Sequence, residues 1–337
     1  LVARATGVTA LTRHETGWAS VDGVYRDLDG AVARRLLTET TSSRAIYAYE
    51  DGALESFRAA RTTGRFALYD LPIAHWRTLR RLLEEEAERL PEWACTMEGL
   101  HDSAEKHARK DEEISLADHI FVASSFTRNS LTDAFGNDLK ISMIPYGCPE
   151  PQVTHPSSRK RGAPLHLFYA GHLAQRKGIA DLIAAMELLS VDWRLTLAGP
   201  RPREVPTALD RFLADPRCNW LGVVPHATLL ERMAQAHVFV FPSIVEGFGM
   251  VITEALASGL PVITTPNTAG PDILTEGHNG YVVPIRDPGA LAERVTLLSE
   301  DEDLRAAMAS NALQTAARLT WREYERGIAR AVSEAIA

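Results

Sequence analysis

Cysteine is scarce: Cys95, Cys148 and Cys218 are the only three in 337 residues. They are too few and too widely spaced for a disulfide framework or a zinc motif, which points to a reducing compartment. Long apolar runs are missing too, and without about 18 such residues in a row no helix can cross a bilayer. Basic charge falls short, with 36 Lys plus Arg against 44 Asp plus Glu and a net charge of -8, so no face is expected to bind nucleic acid. There is no internal repeat, no low-complexity tract and no visible secretory signal, and a cytoplasmic protein is expected. The chain opens on Leu1 rather than Met, which leaves room for residues upstream.

What is present is an ordinary globular composition, 45% hydrophobic and 24% charged, at a length that suits two domains. Apolar runs of strand type alternate with helical patterns, the signature of parallel βαβ units and an α/β fold. In the first half, strands are expected at 45–49, 66–69, within 117–126 and at 140–145. Helices are expected at 30–37, 53–60, 76–90, 102–116 and 127–135. The helix over 76–90 is amphipathic through Leu79, Leu82, Leu83 and Leu90. Its Arg77, Arg80 and Arg81 suit a weak peripheral contact with anionic lipid, at the inner membrane face. Glu84, Glu85, Glu86 and Glu88 favour a solvated face instead. Residues 148–164 hold four prolines, a serine pair and the basic run Arg159-Lys160-Arg161, a linker composition in which the run is read as a solubilising flank.

The second half repeats the strand-helix alternation, with strands at 165–170, 194–198, 219–223, 238–241, 261–264 and 280–283. Its densest chemistry is EGFGMVITEALASGLPVI, which starts at Glu246 after the apolar strand 238–241. A glycine loop, a helix from Met250 and a further strand follow. A helix N-terminus presents unpaired N–H groups and about half a positive charge. Gly247 and Gly249 are expected to let a ligand approach that backbone. Glu246 and Glu254 flank this anion-binding end, and each carboxylate can accept two hydroxyls, which suits a ligand with diols on both sides of a phosphate. A nucleotide sugar is such a ligand. A second loop, GHLAQRKG from Gly171, sets Arg176 and Lys177 before the helix 179–189, where Arg can fork phosphate oxygens and Lys adds a point charge.

These residues carry a resemblance. The Glu246-x7-Glu254 pair in its strand-loop-helix-strand setting, with GHLAQRKG, resembles the family 4 retaining glycosyltransferases of GT-B fold (glycosyl transferases group 1). The resemblance implies two Rossmann-like, doubly wound parallel-sheet domains facing a cleft. On that reading an acceptor-side domain covers 1–147, a linker 148–163 and a nucleotide-sugar domain 164–318. A last helix over 319–337 packs back on the first domain. It further implies that Glu246 holds donor-sugar hydroxyls, that Gly247, Phe248, Gly249, Met250 and Val251 line sugar and phosphates with backbone amides, and that Glu254 binds the ribose. Gly171, Arg176 and Lys177 take the pyrophosphate, and backbone near Val223 meets the base.

The implied activity is metal-independent transfer of a sugar from a UDP- or GDP-type donor to a hydroxyl of a glycan, lipid or small-molecule acceptor. Neither cofactor nor metal is expected, since Arg176, Lys177 and the helix end would carry the leaving-group charge. A non-catalytic nucleotide-sugar-binding protein and a GT-B epimerase are the alternatives. Two departures from the family pattern stand out. Residues 1–22 show no strand followed by a glycine pair, so the opening unit is either shortened or atypical. The family's central histidine is matched by position to Asp70, with His75 five residues on, and either suits an acceptor hydroxyl.

Overall fold

The computed structural model describes residues 9–38, 42–151, 157–160 and 162–337. The first domain runs α1 (Val21–Thr38), β1 (Ala45–Tyr49), α2 (Leu54–Thr62), β2 (Phe66–Leu71), α3 (Trp76–Arg89), α4 (Ala104–Leu116), β3 (His119–Val122), α5 (Ser125–Phe135) and β4 (Ile141–Met143). The second runs β5 (Leu165–Ala170), α6 (Ile179–Leu188), β6 (Trp193–Ala198), α7 (Thr207–Leu213), β7 (Cys218–Trp220), α8 (His226–Met233), β8 (Val238–Phe241), α9 (Met250–Ala257), β9 (Val262–Thr264), α10 (Gly270–Ile273), β10 (Gly280–Val282), α11 (Pro288–Glu300) and α12 (Glu302–Arg318). A final helix, α13 (Trp321–Ala335), follows.

Local chemistry sets many of these boundaries. Ser124 caps α5 by accepting from the Thr127 N–H, and Asp287, Asp301 and Thr320 do the same for α11, α12 and α13. Helix α1 starts at Val21, nine residues before the helix expected at 30–37, because Gly23 and Gly30 interrupt the sequence pattern without stopping the backbone.

Both sheets are parallel. The first has the order β1-β2-β3-β4 and the second β10-β9-β8-β5-β6-β7. In the second sheet the chain lays β6 and β7 on one side of β5, then crosses to place β8, β9 and β10 on the other. That reversal between β5 and β8 opens a crevice at their carboxyl ends, where ligands bind in doubly wound sheets. The loops after those two strands are the ones that carry Gly171 to Gly178 and Pro242 to Gly249. Strand β8 is buried on every residue, as a central parallel strand must be.

The amphipathic helix α3 behaves differently from its place in the chain. Leu82 and Leu83, with Trp93 and Met97 just beyond, join the core of the second domain. Its buried Glu86 accepts from Arg89 and Gln175, and Arg286 reaches both Glu86 and Glu85. Sequence therefore assigns 76–100 to the first domain, while packing joins it to both. The outer arginines are paired, Arg80 with Glu84 at 2.7 Å, Arg81 with Glu85 at 2.8 Å and Arg77 with Asp111 at 2.6 Å. Acidic partners thus take up the charge that a lipid contact would use.

Helix α13 returns to the first domain, where Ile328, Ala331, Val332 and Ala335 cover Leu68 and Phe121. Its first turn presses on Gly147, whose missing Cβ would stand 2.3 Å from the Trp321 nitrogen. Within the linker region, residues 152–156 and 161 lie outside those described. Arg159 is not a free flank: it donates to the carbonyls of Ala163 and Ser299, tying the segment to α11.

Candidate active site

A cleft of about 580 Å³ lies between the domains, within the range of small-molecule sites. Gly171, Arg176, Lys177, Glu246, Gly247, Phe248, Gly249, Met250 and Val251 all line it. Two loops more than sixty residues apart in sequence thus share one wall, because β5 and β8 are neighbours. Lys177 Nζ contacts Glu246 Oε1, and Arg176 Nη1 lies 3.8 Å from the same oxygen. Ser243 Oγ donates to it at 3.1 Å. The ammonium also stands 5.5 Å from the Phe241 ring centre. Burial pulls the Lys177 ammonium below its usual range, with the Glu246 carboxylate opposing and Arg176 adding to the fall. The cations face an acceptor of hydrogen bonds that a bound anion would displace.

The glycine loop does something the sequence did not disclose. A Cβ on Gly247 would sit 1.7 Å from the Pro72 carbonyl oxygen, in the loop after β2 of the other domain. The Gly247 carbonyl in turn accepts from Ser124 Oγ and, at 3.0 Å, from Thr127 Oγ1. The missing side chain therefore permits the close approach of the two domains at a glycine that also lines the cleft. Gly249 has φ +83, in the left-handed region, and opens α9, whose first residues Met250 and Val251 line the cleft.

Glu254 lies on α9, 9% exposed, outside the residues that line the cleft. Its Oε1 meets His226 Nε2 at 3.0 Å, while buried Oε2 has no partner. Burial raises the carboxyl's pKa, opposed by His226. An unpartnered buried carboxylate oxygen leaves room for a hydroxyl donor. Val223 is exposed in the loop after β7, which ends at Trp220, short of the strand expected at 219–223.

The two candidates of the first domain separate. Asp70, at the end of β2, is buried, and its Oδ2 accepts from the Tyr47 hydroxyl at 2.6 Å. Burial raises its pKa against that hydrogen bond. His75 is fully buried, packed against Phe135 and Trp76, with Nε2 3.0 Å from Asp111. Desolvation holds its pKa at about 4. It does not line the cleft, so the acceptor role expected for it passes to no part of the observed geometry. The turn through Pro72 and the start of α3 direct it inward.

Two Asp-x-Asp pairs occur, and neither lines the cleft. Asp29 of the first binds the Ser56 and Glu55 amides, and Asp301 of the second caps α12. Among the described residues, the one group spaced to hold a metal is His14, Glu15 and Asp102. It sits against Lys106, which already pairs with Asp102 at 3.2 Å.

Residues 152–315 match the family described as glycosyl transferases group 1. Over this segment, just under half of its length, the chain is similar to that family. The chain is 29% identical over 245 residues to D-inositol 3-phosphate glycosyltransferase of Corynebacterium efficiens, covering 65% of this chain and 58% of that protein. It is 31% identical over 163 residues to O-antigen chain mannosyltransferase B of Escherichia coli, covering 46% and 42%. The chain spans about half the length of the curated relatives it matches. Sucrose-phosphate synthase from Thermosynechococcus elongatus superposes with TM-score 0.74 at 18% identity over 95% of this chain and 80% of that one. Anabaena HepE in complex with UDP and glucose does so with TM-score 0.68 at 19% identity, over 93% and 84%. These likenesses carry the fold, which is GT-B.

Among the described residues, no helix is long and apolar enough to cross a membrane. The sequence reading missed the opposite wall of the cleft, made by Pro72, Ile73, Tyr49, Tyr146, Trp321 and Tyr324. Its one legible signal was the Trp321/Tyr324 spacing, which puts both rings on one face of α13.

Proposed function

We propose that the protein transfers a sugar from a nucleoside-diphosphate sugar to an acceptor hydroxyl, with retention at the anomeric carbon and without a metal. The observation that carries this is the convergence of Arg176, Lys177, Glu246 and the α9 N-terminus on one cavity at the switch point of the second sheet. In the reaction the bond from the anomeric carbon to the diphosphate oxygen breaks and the bond from the acceptor oxygen forms. The acceptor proton passes to an oxygen of the leaving diphosphate. Stabilising that departing charge is the main electrostatic task, and two preorganised cations in a partly desolvated wall supply it. Glu246, released from Lys177, is placed to hold donor-sugar hydroxyls. The unpartnered oxygen of Glu254 suits a ribose hydroxyl.

HepE and sucrose-phosphate synthase share the fold, and the UDP and glucose held in the HepE complex agree with a donor of this class. The acceptor sits across the cleft, a glycan, lipid or small molecule on this reading. The deciding experiment combines calorimetry with product analysis. Donor binding followed by release of free nucleoside diphosphate on adding acceptor supports transfer. Binding without release identifies a non-catalytic binder, and an isomerised sugar without acceptor identifies an epimerase.

A further inference from the structure

The wall that faces Arg176 and Lys177 is aromatic. Tyr49 comes from the end of β1, Tyr146 from the chain just after β4, and Trp321 and Tyr324 from the first turn of α13. The rings form one cluster: Tyr146 stacks toward Trp321 at 6.1 Å with 26° between planes, and meets Tyr324 edge-on at 5.3 Å. Trp321 and Tyr324 pack edge-to-face at 5.6 Å. Tyr146 also touches Phe248 at 5.1 Å, which links this ledge to the glycine loop. Tyr49 is 52% and Trp321 39% exposed, and both line the cleft. Among the described residues, the cations that line this cavity are Arg176 and Lys177, and both face Glu246. Among the described residues that line the cavity, the ledge contributes no cation.

We infer that the exposed faces of Tyr49 and Trp321, with the hydroxyls of Tyr146 and Tyr324, form the acceptor subsite, and that it takes an uncharged pyranose ring. An aromatic face carries negative charge density and packs well on the C–H face of a pyranose, whose C–H bonds are positive outward. The phenol hydroxyls give and take hydrogen bonds with the sugar hydroxyls around the rim. An acceptor bearing a phosphate would find no counter-charge on this ledge, so the ledge discriminates against it. This rests on the assignment of the opposite wall to the donor.

The test uses the full chain and four probes: methyl β-D-glucopyranoside, methyl α-D-mannopyranoside, glucose 6-phosphate and 1-octanol. Saturation-transfer NMR should show the ring C–H protons of a neutral pyranoside receiving magnetisation, with H1, H3 and H5 of the glucoside strongest. Glucose 6-phosphate should bind at least fivefold more weakly, and octanol should not displace the glycosides. Trp321→Leu and Tyr49→Ala should each weaken glycoside binding about tenfold, while Trp321→Phe restores most of it. Tyr49→Ala keeps the test valid if Trp321→Leu loosens α13. Tighter binding of glucose 6-phosphate, displacement by octanol, or unchanged glycoside binding in both variants would overturn the proposal. UDP binding, followed separately by calorimetry, reports on the donor wall: a ledge that fails while UDP binds sinks this inference alone, and absent nucleotide binding sinks the donor reading.

Discussion

Replacing Gly247 by alanine should uncouple the two domains. The added Cβ would stand 1.7 Å from the Pro72 carbonyl oxygen, 2.6 Å from its carbonyl carbon and 2.7 Å from the Ile73 Cα, all backbone. Ordinary contact begins at 3.4 Å, so the Pro72 loop must retreat by 1.7 Å. The same retreat stretches the Thr127 bond to Gly247, now 3.0 Å, beyond hydrogen-bond range, together with its Ser124 neighbour. Losing two such bonds costs about 1 kcal/mol each, and overpacking adds about 1–3 kcal/mol. Closure should therefore be disfavoured by about 3–5 kcal/mol, which lowers the ratio of closed to open forms by roughly 100-fold or more. Since the reacting groups come from both domains, turnover should fall by a similar factor. The donor dissociation constant, set mostly by the second domain, should change by less than about tenfold. Steady-state release of nucleoside diphosphate gives the first quantity and calorimetry the second. Turnover within threefold of the parent protein would refute the clamp.

Four further outcomes follow from the same geometry. Lys177→Ala should remove most turnover, about 100-fold or more, as losing one preorganised charge donor does; normal kinetics would sink the donor-site assignment. Because burial lowers the pKa of Lys177 below 10.5, the cation is lost as pH rises through that depressed value. The rate constant kcat/KM for donor should decline on the alkaline side before an ordinary lysine would titrate, and Lys177→Arg should move that limb out of range, as measured by a pH-rate profile. Glu254→Gln, which replaces the unpartnered oxygen by an amide, should weaken donor binding about tenfold by calorimetry.

Glu86 tests the strut between the domains. Burial acts to raise its pKa, but hydrogen bonds from Arg89 and Gln175 and the charge of Arg89 outweigh it and leave the value below 4.5. Its stabilising effect is therefore complete above pH 4.5 and is lost as pH falls through the depressed folded value. Glu86→Gln should cost about 2 kcal/mol at neutral pH, after allowance for the partial exposure of Arg89, and should flatten the acid limb of a denaturation series.

The sequence determined the local parts. The alternation of apolar strands with amphipathic helices specified two parallel α/β units, since a central parallel strand such as 238–241 is apolar on both faces and its helices are apolar on one. The glycine loop before Met250 was legible because it depends on residues within one turn. Arg176, Lys177 and Glu246 could be picked out by type and loop context. Their meeting could not be read directly, because it depends on β5 and β8 becoming neighbours across a chain reversal.

Tertiary structure decided the rest. His75 lies five residues from Asp70, yet the turn into α3 buries it against Asp111, a direction that no short-range pattern encodes. Gly247 lines the cleft and is also the place where Pro72 of the other domain approaches. Helix α3 had an apolar stripe whose partner, the second domain's core, comes from residues far along the chain. The aromatic ledge drew Tyr49, Tyr146, Trp321 and Tyr324 from three separate segments. Sequence periodicity records which face of an element is apolar, but it carries no information about which distant surface covers that face; only the closure of the two domains supplies it.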